Sequence, residues 1–124
     1  MPLNTDIQYA QGSDASVAQP EVERLLHKEA GRWVMTQDMQ GIKREYNFKS
    51  FKQAWGFMST VAEECKVEKH HPEWTNIYNK VCITWTTHRP RGLSLKDLKM
   101  ARFCDEQAEL HGEILVPHPV SQSQ

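Results

Sequence analysis

Residues 74–87 read WTNIYNKVCITWTT and alternate between apolar and polar side chains. Alternation with a period of two, in runs rich in β-branched and aromatic residues, predicts strands that each bury one face. The two runs, Trp74–Tyr78 and Val81–Thr87, are joined around Asn79-Lys80, a hairpin-like connection. In the second run the expected core face carries Val81, Ile83 and Trp85. The chain must therefore build an antiparallel sheet and cover its apolar face with other elements.

The segment before this hairpin supplies two further strands and a short helix. Trp33–Thr36 and Ile42–Phe48 have strand-like composition and flank the turn QDMQG. Upstream of them, Pro20 suits the first turn of a helix and Gly31 suits its end. The large apolar residues between those two positions are Val22, Leu25 and Leu26. The pattern predicts a helix over this interval.

Two longer helices are predicted from capping residues and apolar periodicity. Ser50 followed by Gln53 has the spacing of a capping box, and Ser94 followed by Asp97 places a capping acid in the first turn of the next helix. Apolar residues then recur at steps of three and four, as expected for a buried helical stripe. The predicted stripes are Phe51, Ala54, Trp55, Met58, Val61, Ala62 and Cys65 in one helix, and Leu95, Leu98, Ala101, Cys104 and Ala108 in the other.

The elements together predict an α+β fold, a four-stranded antiparallel sheet with helices packed on one face. The uncovered face is expected to carry Trp, Tyr or Thr side chains, and it favours self-association together with the free sheet edge. A homodimer or homotetramer is therefore expected.

One domain is predicted over residues 20–115, with disordered tails over 1–19 and 116–124, because both ends lack apolar periodicity. Removal of residues 1–19 is accordingly expected to change stability very little. An alternative is that Ile7 and Tyr9 anchor this segment on a neighbouring subunit. No secretory signal or membrane span is recognised, which predicts a cytoplasmic location, with a nuclear one also open.

Charge and cysteine content exclude several functional classes. Fifteen basic residues nearly balance sixteen acidic ones, which argues against direct nucleic-acid binding. The three cysteines are odd in number and widely spaced, as is typical of free thiols in a reducing compartment. A membrane partner is not expected either.

Three histidines are concentrated in residues 69–90, KHHPEWTNIYNKVCITWTTHRP. Because Pro72 favours an extended backbone at His71, the side chains of His70 and His71 are expected to point apart rather than to share one metal. No metal site is therefore predicted, and the cysteines occupy core positions that disfavour a nucleophilic role. His70 and His88 could instead cap turns, or act as a general acid and base on either side of a pocket.

The same segment resembles the signature of the pterin-4a-carbinolamine dehydratases. The matching positions are Lys66, the triplet His70-His71-Pro72, His88 and Asp97, and the stretch HHPEWTNIYNKV matches almost completely. The upstream stretch FKSFKQAWGFMSTVA is similar to the family's first long helix, and the resemblance covers residues 21–110. At Lys66 a glutamate is commoner in the family. This puts the pH optimum in doubt, because a lysine lowers the pKa of a nearby imidazole and a glutamate raises it.

This resemblance implies a hydro-lyase that converts 4a-hydroxytetrahydrobiopterin to quinonoid dihydropterin and water, so that the tetrahydropterin cofactor is recycled. It implies acid and base roles for His70 and His88, in an order left open, while His71 holds and polarises the pterin. Asp97 either takes part directly or supports the His88 loop. The residues implied to contact the substrate are Lys66, Lys69, Trp74, Thr86, Thr87 and Arg89. Neither a cofactor nor a metal is implied.

The sequence is also compatible with two other functions. Some animal members of the family bind a homeodomain transcription factor, so the chain could serve mainly as a dimerisation cofactor or coactivator scaffold. A third possibility is a different pterin substrate, such as one linked to molybdenum-cofactor metabolism. The sequence does not identify the hydroxylase or pathway that supplies the pterin.

Overall fold

The structure is a computed structural model and describes residues 6–26 and 32–116. Within these ranges it contains three helices and five strands. In chain order they are α1 (Ala15–Leu25), β1 (Val34–Met35), β2 (Gly41–Asn47), α2 (Phe51–Glu68), β3 (Glu73–Ile77), β4 (Lys80–His88), β5 (Arg91–Gly92) and α3 (Leu95–Leu110). No helix in these ranges is both long and apolar enough to cross a membrane.

The strands form one antiparallel sheet in the order β1-β2-β4-β3, with β5 paired to the end of β4. In this register Trp85 lies opposite Ile42 on one side, and Ile83 lies opposite Trp74 on the other. The α+β class and the antiparallel sheet predicted from the sequence are confirmed. The short β5 adds a fifth strand to the four expected.

The sheet has one apolar face, against which the helices pack. Buried side chains alternate along β2 and β4, and the core on this face includes Ile42, Tyr46, Val81, Ile83 and Trp85. The open face carries mainly polar residues, among them Lys43, Glu45, Glu73, Thr75 and Thr84. The expectation of Trp or Tyr on the open face is therefore wrong, because the strand alternation places Trp85 and Tyr46 towards the helices.

The β3–β4 hairpin turns at Tyr78-Asn79, one residue earlier than predicted, since Ile77 pairs with Lys80. Tyr78 adopts a positive φ of 54°, as the first residue of a tight hairpin turn often must. The Asn79 side chain donates to the carbonyl of Phe48 at 2.8 Å, and the Phe48 N–H donates back to the Asn79 carbonyl at 2.9 Å. These two bonds fix the turn against the end of β2.

The Ser50 cap of α2 is as predicted, because the Ser50 side chain accepts the Gln53 N–H at 3.2 Å. The return bond of a capping box, from the Ser50 N–H to the Gln53 side chain, is not among the described contacts of this helix. The predicted stripe is partly wrong. Phe51 and Trp55 are exposed, and their rings stack on each other with centroids 6.1 Å apart. Phe57 is buried in their place, since Trp55 follows Ala54 by one residue and so points about 100° away from the buried side. In α3, Leu95 is likewise exposed and Met100 is buried instead.

Helix α1 begins five residues before Pro20. Asp14 caps it by accepting the Ser16 N–H at 3.0 Å, and Pro20 lies inside the helix. Its buried residues are Ala18, Val22 and Leu25, a regular helical stripe that starts before Pro20. The helix ends at Leu25, where Leu26 is extended, so the predicted end at Gly31 is too late; Gly31 itself lies outside the described residues.

The segment before α1 is ordered, so the disordered tail predicted over 1–19 is wrong for residues 6–19. Ile7 and Ala10 are buried. The Gln8 N–H donates to the carbonyl of Met39, and Gln8 and Ala10 exchange backbone bonds with Leu93 at 2.8–2.9 Å. The composition of residues 6–19 did not predict this packing, because the hydrogen-bond partners, Met39 and Leu93, are more than 30 residues away in the sequence. The alternative was that Ile7 anchors this segment on a neighbouring subunit. In the structure Ile7 is buried in the core of its own chain.

The close approach of this segment depends on Gly92. A Cβ atom at this position would lie within 3 Å of backbone atoms of residues 8–10, and Gly92 has a positive φ of 133°. Only glycine fits such a contact without strain. At the other end of the chain, the predicted tail over 116–124 lies outside the described residues except for Val116, whose carbonyl accepts a bond from Arg32 at 2.6 Å.

A buried polar cluster joins β2 to α3 and to the segment after it. The Arg44 guanidinium forms ion pairs with Asp105 and Glu113 and lies 4.1 Å from the ring centroid of Tyr46. Asp105 also accepts bonds from the Tyr46 hydroxyl at 2.6 Å and the Trp33 indole at 3.1 Å. Burial raises the pKa of the Glu113 carboxyl, against the opposing effect of Arg44. The cluster pairs both terminal nitrogens of an arginine that the alternation of β2 directs inward, while its buried Nε has no hydrogen-bond partner among the described residues.

We expect Ile7→Ala to lower the free energy of unfolding by about 2 kcal/mol, at the lower end of the range for truncating a buried isoleucine. Urea denaturation followed by circular dichroism measures this change. The matched control is Val17→Ala at an exposed position, which should stay within about 0.5 kcal/mol of wild type. Equal stability of the two variants would show that residues 6–10 contribute no burial.

Candidate active site

The end of α2 determines where His70 lies. Lys69 adopts the left-handed conformation with φ of 55°, and both Lys69 and His70 donate their N–H groups to the carbonyl of Cys65. A left-handed residue at this position ends a helix and reverses the direction of the chain. The Lys69 side chain is exposed, whereas His70 turns back towards the sheet and is largely buried.

The His70 imidazole has two contacts that hold it. Its ring stacks on the indole of Trp85, with centroids 5.6 Å apart and an angle of 17° between the planes. Its Nε2 lies 2.5 Å from Oδ1 of Asp97, and 13% of the side chain is exposed. Trp85 was predicted only as a core residue. Its position in β4 indicated the face on which it lies, but no local signal indicated the histidine above it.

Asp97 is completely buried. It closes the capping box of α3, because its Oδ2 accepts the Ser94 N–H at 2.9 Å while the Ser94 side chain accepts the Asp97 N–H. The Thr87 hydroxyl donates to the same Oδ2 at 2.8 Å. Asp97 therefore connects the end of β4, the start of α3 and His70. The carboxylate lies beside His70, and its bonds to Thr87 and Ser94 are on either side of the His88 loop that it was expected to support.

His88 lies at the end of β4 and forms a second imidazole–carboxylate pair. Its Nε2 is 3.5 Å from Oε2 of Glu73, with 50% and 61% of the two side chains exposed. His88 pairs with Arg91 across the turn made by Arg89 and Pro90, whose peptide bond is cis. The partnership of Glu73 with His88 was not predicted, since the two residues are 15 positions apart and only the strand register brings them together.

A shallow cleft of about 380 Å³ lies on the open face of the sheet. It is lined by Thr36, Gln37, Asp38, Lys43, Glu73, Thr84, Thr86 and Arg91. The cleft includes Thr86, a predicted substrate contact, and Glu73, the partner of His88. His70 is not part of its wall, because His70 lies on the helix side of the sheet. The Thr86 hydroxyl donates to the carbonyl of Gln40 at 2.6 Å.

The remaining predicted site residues are spread around these two pairs. His71 and Arg89 are exposed. Trp74 is half-buried and packs against the core on the helix side of β3. Lys66 is exposed and pairs with Glu63 at 3.1 Å, so its charge is partly compensated by a neighbour on the same helix.

The thiols lie in environments that disfavour nucleophilic chemistry. Burial raises the pKa of the Cys65 thiol to about 11, and it also raises the pKa values of Cys82 and Cys104. A thiol with such a pKa stays protonated near neutral pH and is a poor nucleophile. Within the part of the chain that the structure describes, no three histidine, cysteine or acidic side chains cluster as a metal site would require. Imidazole is the side chain in this region that is suited to proton transfer near neutral pH.

The fold agrees with comparisons to known proteins. The family model described as Pterin 4 alpha carbinolamine dehydratase matches residues 15–107. A protein of Novosphingobium aromaticivorans named "Putative pterin-4-alpha-carbinolamine dehydratase" is 44% identical over 88 residues, which is 71% of this chain and 91% of that protein. A Rhodospirillum rubrum protein of the same name is 44% identical over 73 residues, 59% of this chain and 76% of that protein.

Solved structures show the same architecture. The crystal structure of a transcriptional coactivator/pterin dehydratase from Brucella melitensis has a TM-score of 0.67 and 34% identity, and the match covers 75% of this chain and 94% of that one. A pterin dehydratase-like protein described as a RuBisCO assembly factor of the alpha-carboxysome has a TM-score of 0.56 and 19% identity, over 64% of this chain and 92% of that one. The second similarity shows the fold alone. Because the family model spans most of the chain, this protein belongs to the pterin 4 alpha carbinolamine dehydratase family.

Proposed function

We propose that this protein is a 4a-hydroxytetrahydrobiopterin dehydratase, which releases water and quinonoid dihydropterin without a metal or cofactor. The observation that carries the proposal is the buried His70–Asp97 pair, held at 2.5 Å in a chain of this family. An imidazole fixed by a carboxylate is suited to proton transfer near neutral pH, where histidine changes its charge.

The reaction requires one acid and one base. The C4a–oxygen bond breaks as an acid protonates the leaving hydroxyl, and the N5–H bond breaks as a base takes its proton. A C4a–N5 double bond forms, and water leaves. In this proposal His70 and His88 are the two proton-transfer groups, because each is paired with a carboxylate at the same end of β4. His71, next to His70 and exposed, would hold and polarise the pterin.

The pterin ring would be held by residues around the two histidines. In the proposal, Trp74 gives an apolar wall, as flat aromatic side chains do for flat ligands. The proposed polar contacts are Lys66, Lys69, Thr86 and Arg89; three of them are exposed and Thr86 is half-buried. Asp97 is too deeply buried for a substrate role and would act through His70.

We expect His70→Ala and His88→Ala each to lower the dehydration rate by about a hundredfold or more, the usual effect of losing a general acid or base. A stopped-flow assay with freshly generated 4a-hydroxytetrahydropterin measures the rate. Circular dichroism of each variant verifies that it is folded. Folded variants that both retain most of the activity would refute the assignment.

Metal chelators should leave the rate unchanged, because imidazole alone carries out the proposed proton transfers. The same assay is run after dialysis against EDTA and again after addition of zinc. Activity that is lost on dialysis and restored by one particular metal would contradict this mechanism.

A second candidate function is that of a coactivator or dimerisation scaffold. It is favoured by the exposed pair of Phe51 and Trp55 on α2, since stacked exposed aromatics are typical of protein interfaces. The Brucella melitensis relative is also described as a transcriptional coactivator. The stopped-flow assay separates the two functions, because a scaffold without catalysis gives no acceleration with the wild-type protein.

We also propose that the protein is a homodimer or homotetramer. Strand β3 is at the end of the strand order β1-β2-β4-β3, so one of its edges is open within the described sheet. Ile77 and Tyr78, at the end of this strand, are 73% and 65% exposed. An open edge beside apolar side chains favours pairing with another chain.

Light scattering of the wild-type protein at micromolar concentration should give a mass of two or four chains. Ile77→Lys places a charge at the proposed interface and should shift the mass towards a single chain. Glu45→Lys, on the same sheet face but in an inner strand, is the control and should not change it. A wild-type monomer would refute the proposal.

A further inference from the structure

We propose that Thr87 is a positioning residue, which works through Asp97 to keep the proton of neutral His70 on Nε2 and to leave Nδ1 as the reacting nitrogen. The catalytic part rests on the proposed dehydratase function. The protonation of the ring does not, and it can be measured in the resting protein.

The hydrogen bonds around Asp97 form a consistent network. Oδ2 accepts the Ser94 N–H at 2.9 Å and the Thr87 hydroxyl at 2.8 Å. The Ser94 hydroxyl lies 2.7 Å from the Thr87 oxygen and accepts the Asp97 N–H. The Ser94 hydroxyl also lies 3.2 Å from Oδ2, a longer contact than the one to Thr87. With Ser94 donating to Thr87, and Thr87 donating to Asp97, every hydroxyl proton has an acceptor. Both lone-pair directions of Oδ2 are then occupied, so this oxygen carries no proton of its own.

The second oxygen of Asp97 determines the form of His70. Oδ1 faces Nε2 of the imidazole at 2.5 Å. In this proposal the carboxyl is ionised, so Oδ1 can only accept a hydrogen bond. An acceptor oxygen at that distance requires a proton on Nε2. Neutral imidazole carries one ring proton, so Nδ1 then has a free lone pair. Within the described ranges no protein group forms a hydrogen bond with Nδ1, and the ring is held flat against Trp85.

Thr87 is essential to this arrangement because Asp97 has no access to water. A buried carboxylate oxygen that loses a donor must find another partner or take up a proton. The Ser94 hydroxyl, 3.2 Å from Oδ2, is the nearest replacement donor. Where the carboxyl instead takes up a proton, that proton can lie on Oδ1 and be donated to Nε2, and the imidazole then carries its own proton on Nδ1. This proposal replaces the predicted role of Thr87 as a pterin contact, since its hydroxyl is already bonded inside the protein.

The first experiment determines the tautomer by nitrogen-15 NMR of the histidine rings, at a pH where they are neutral, with the His70 signals identified by their absence in His70→Gln. The Nε2–H form is expected in wild type and in Thr87→Ser, which retains the hydroxyl. Thr87→Val, of similar shape but without the hydroxyl, should show a mixture with the Nδ1–H form. A wild-type protein in the Nδ1–H form, or a Thr87→Val spectrum identical to wild type, would overturn the proposal.

The second experiment is steady-state kinetics. Thr87→Val should lower kcat by about tenfold to a hundredfold, as is typical when a residue that orients a functional histidine is removed, with KM nearly unchanged. Thr87→Ser should restore most of the rate. Thr75→Val, on the open face of β3, is the control and should behave as wild type.

The outcomes distinguish the two proposals. A raised KM with unchanged kcat in Thr87→Val would identify Thr87 as a substrate contact and contradict a positioning role. If the wild-type protein does not accelerate dehydration, the proposed function fails, while the tautomer measurement still decides what Thr87 and Asp97 do to His70. Thermal melting of each variant verifies that the comparison is made between folded proteins.

Discussion

A fully buried carboxylate must obtain its hydrogen-bond donors from the protein, because water cannot reach it. Asp97 obtains them from three places: Ser94 at the start of α3, Thr87 near the end of β4, and His70 just after α2. Helix α2 and strand β4 must therefore end, and helix α3 must begin, close to this carboxylate. A shift of one residue in β4 would turn Thr87 to the open face and leave Oδ2 without one donor. The geometry of the site and the packing of α3 are thus consequences of the same requirement.

A second acidic residue attaches the same helix to the sheet further along. Asp105 follows Asp97 by eight residues, about 12 Å along α3, and accepts bonds from Arg44 and Tyr46 of β2. Two inward-facing carboxylates, one bound to elements around β4 and one to β2, leave α3 little freedom to slide or rotate. Rigidity of this kind benefits a site whose histidine must stay on a flat aromatic surface, because small displacements of a proton-transfer group cost much of its rate.

The sequence predicted those features that depend on neighbouring residues. The caps at Ser50 and Ser94 and the alternation of β4 were correct, since each involves residues within a few positions of one another. The ordered segment around Ile7, the stacking of His70 on Trp85 and the pairing of His88 with Glu73 could not be predicted in this way. They depend on contacts between residues far apart in the sequence, and only the assembled sheet specifies these. The motif histidines could be identified from the sequence, but their partners could not.

The two imidazole–carboxylate pairs differ in their surroundings, and this difference suits the proposed chemistry. The His70–Asp97 pair lies in the protein interior, where charges interact strongly and water does not compete. The His88–Glu73 pair is about half exposed, at a longer distance, and is screened by solvent. A dehydration needs one group that gives a proton while another takes one, so two equivalent imidazoles would serve it poorly. Placing one histidine on the helix side of the sheet and the other at the solvent-exposed end of β4 makes them inequivalent without a metal ion or further charged residues.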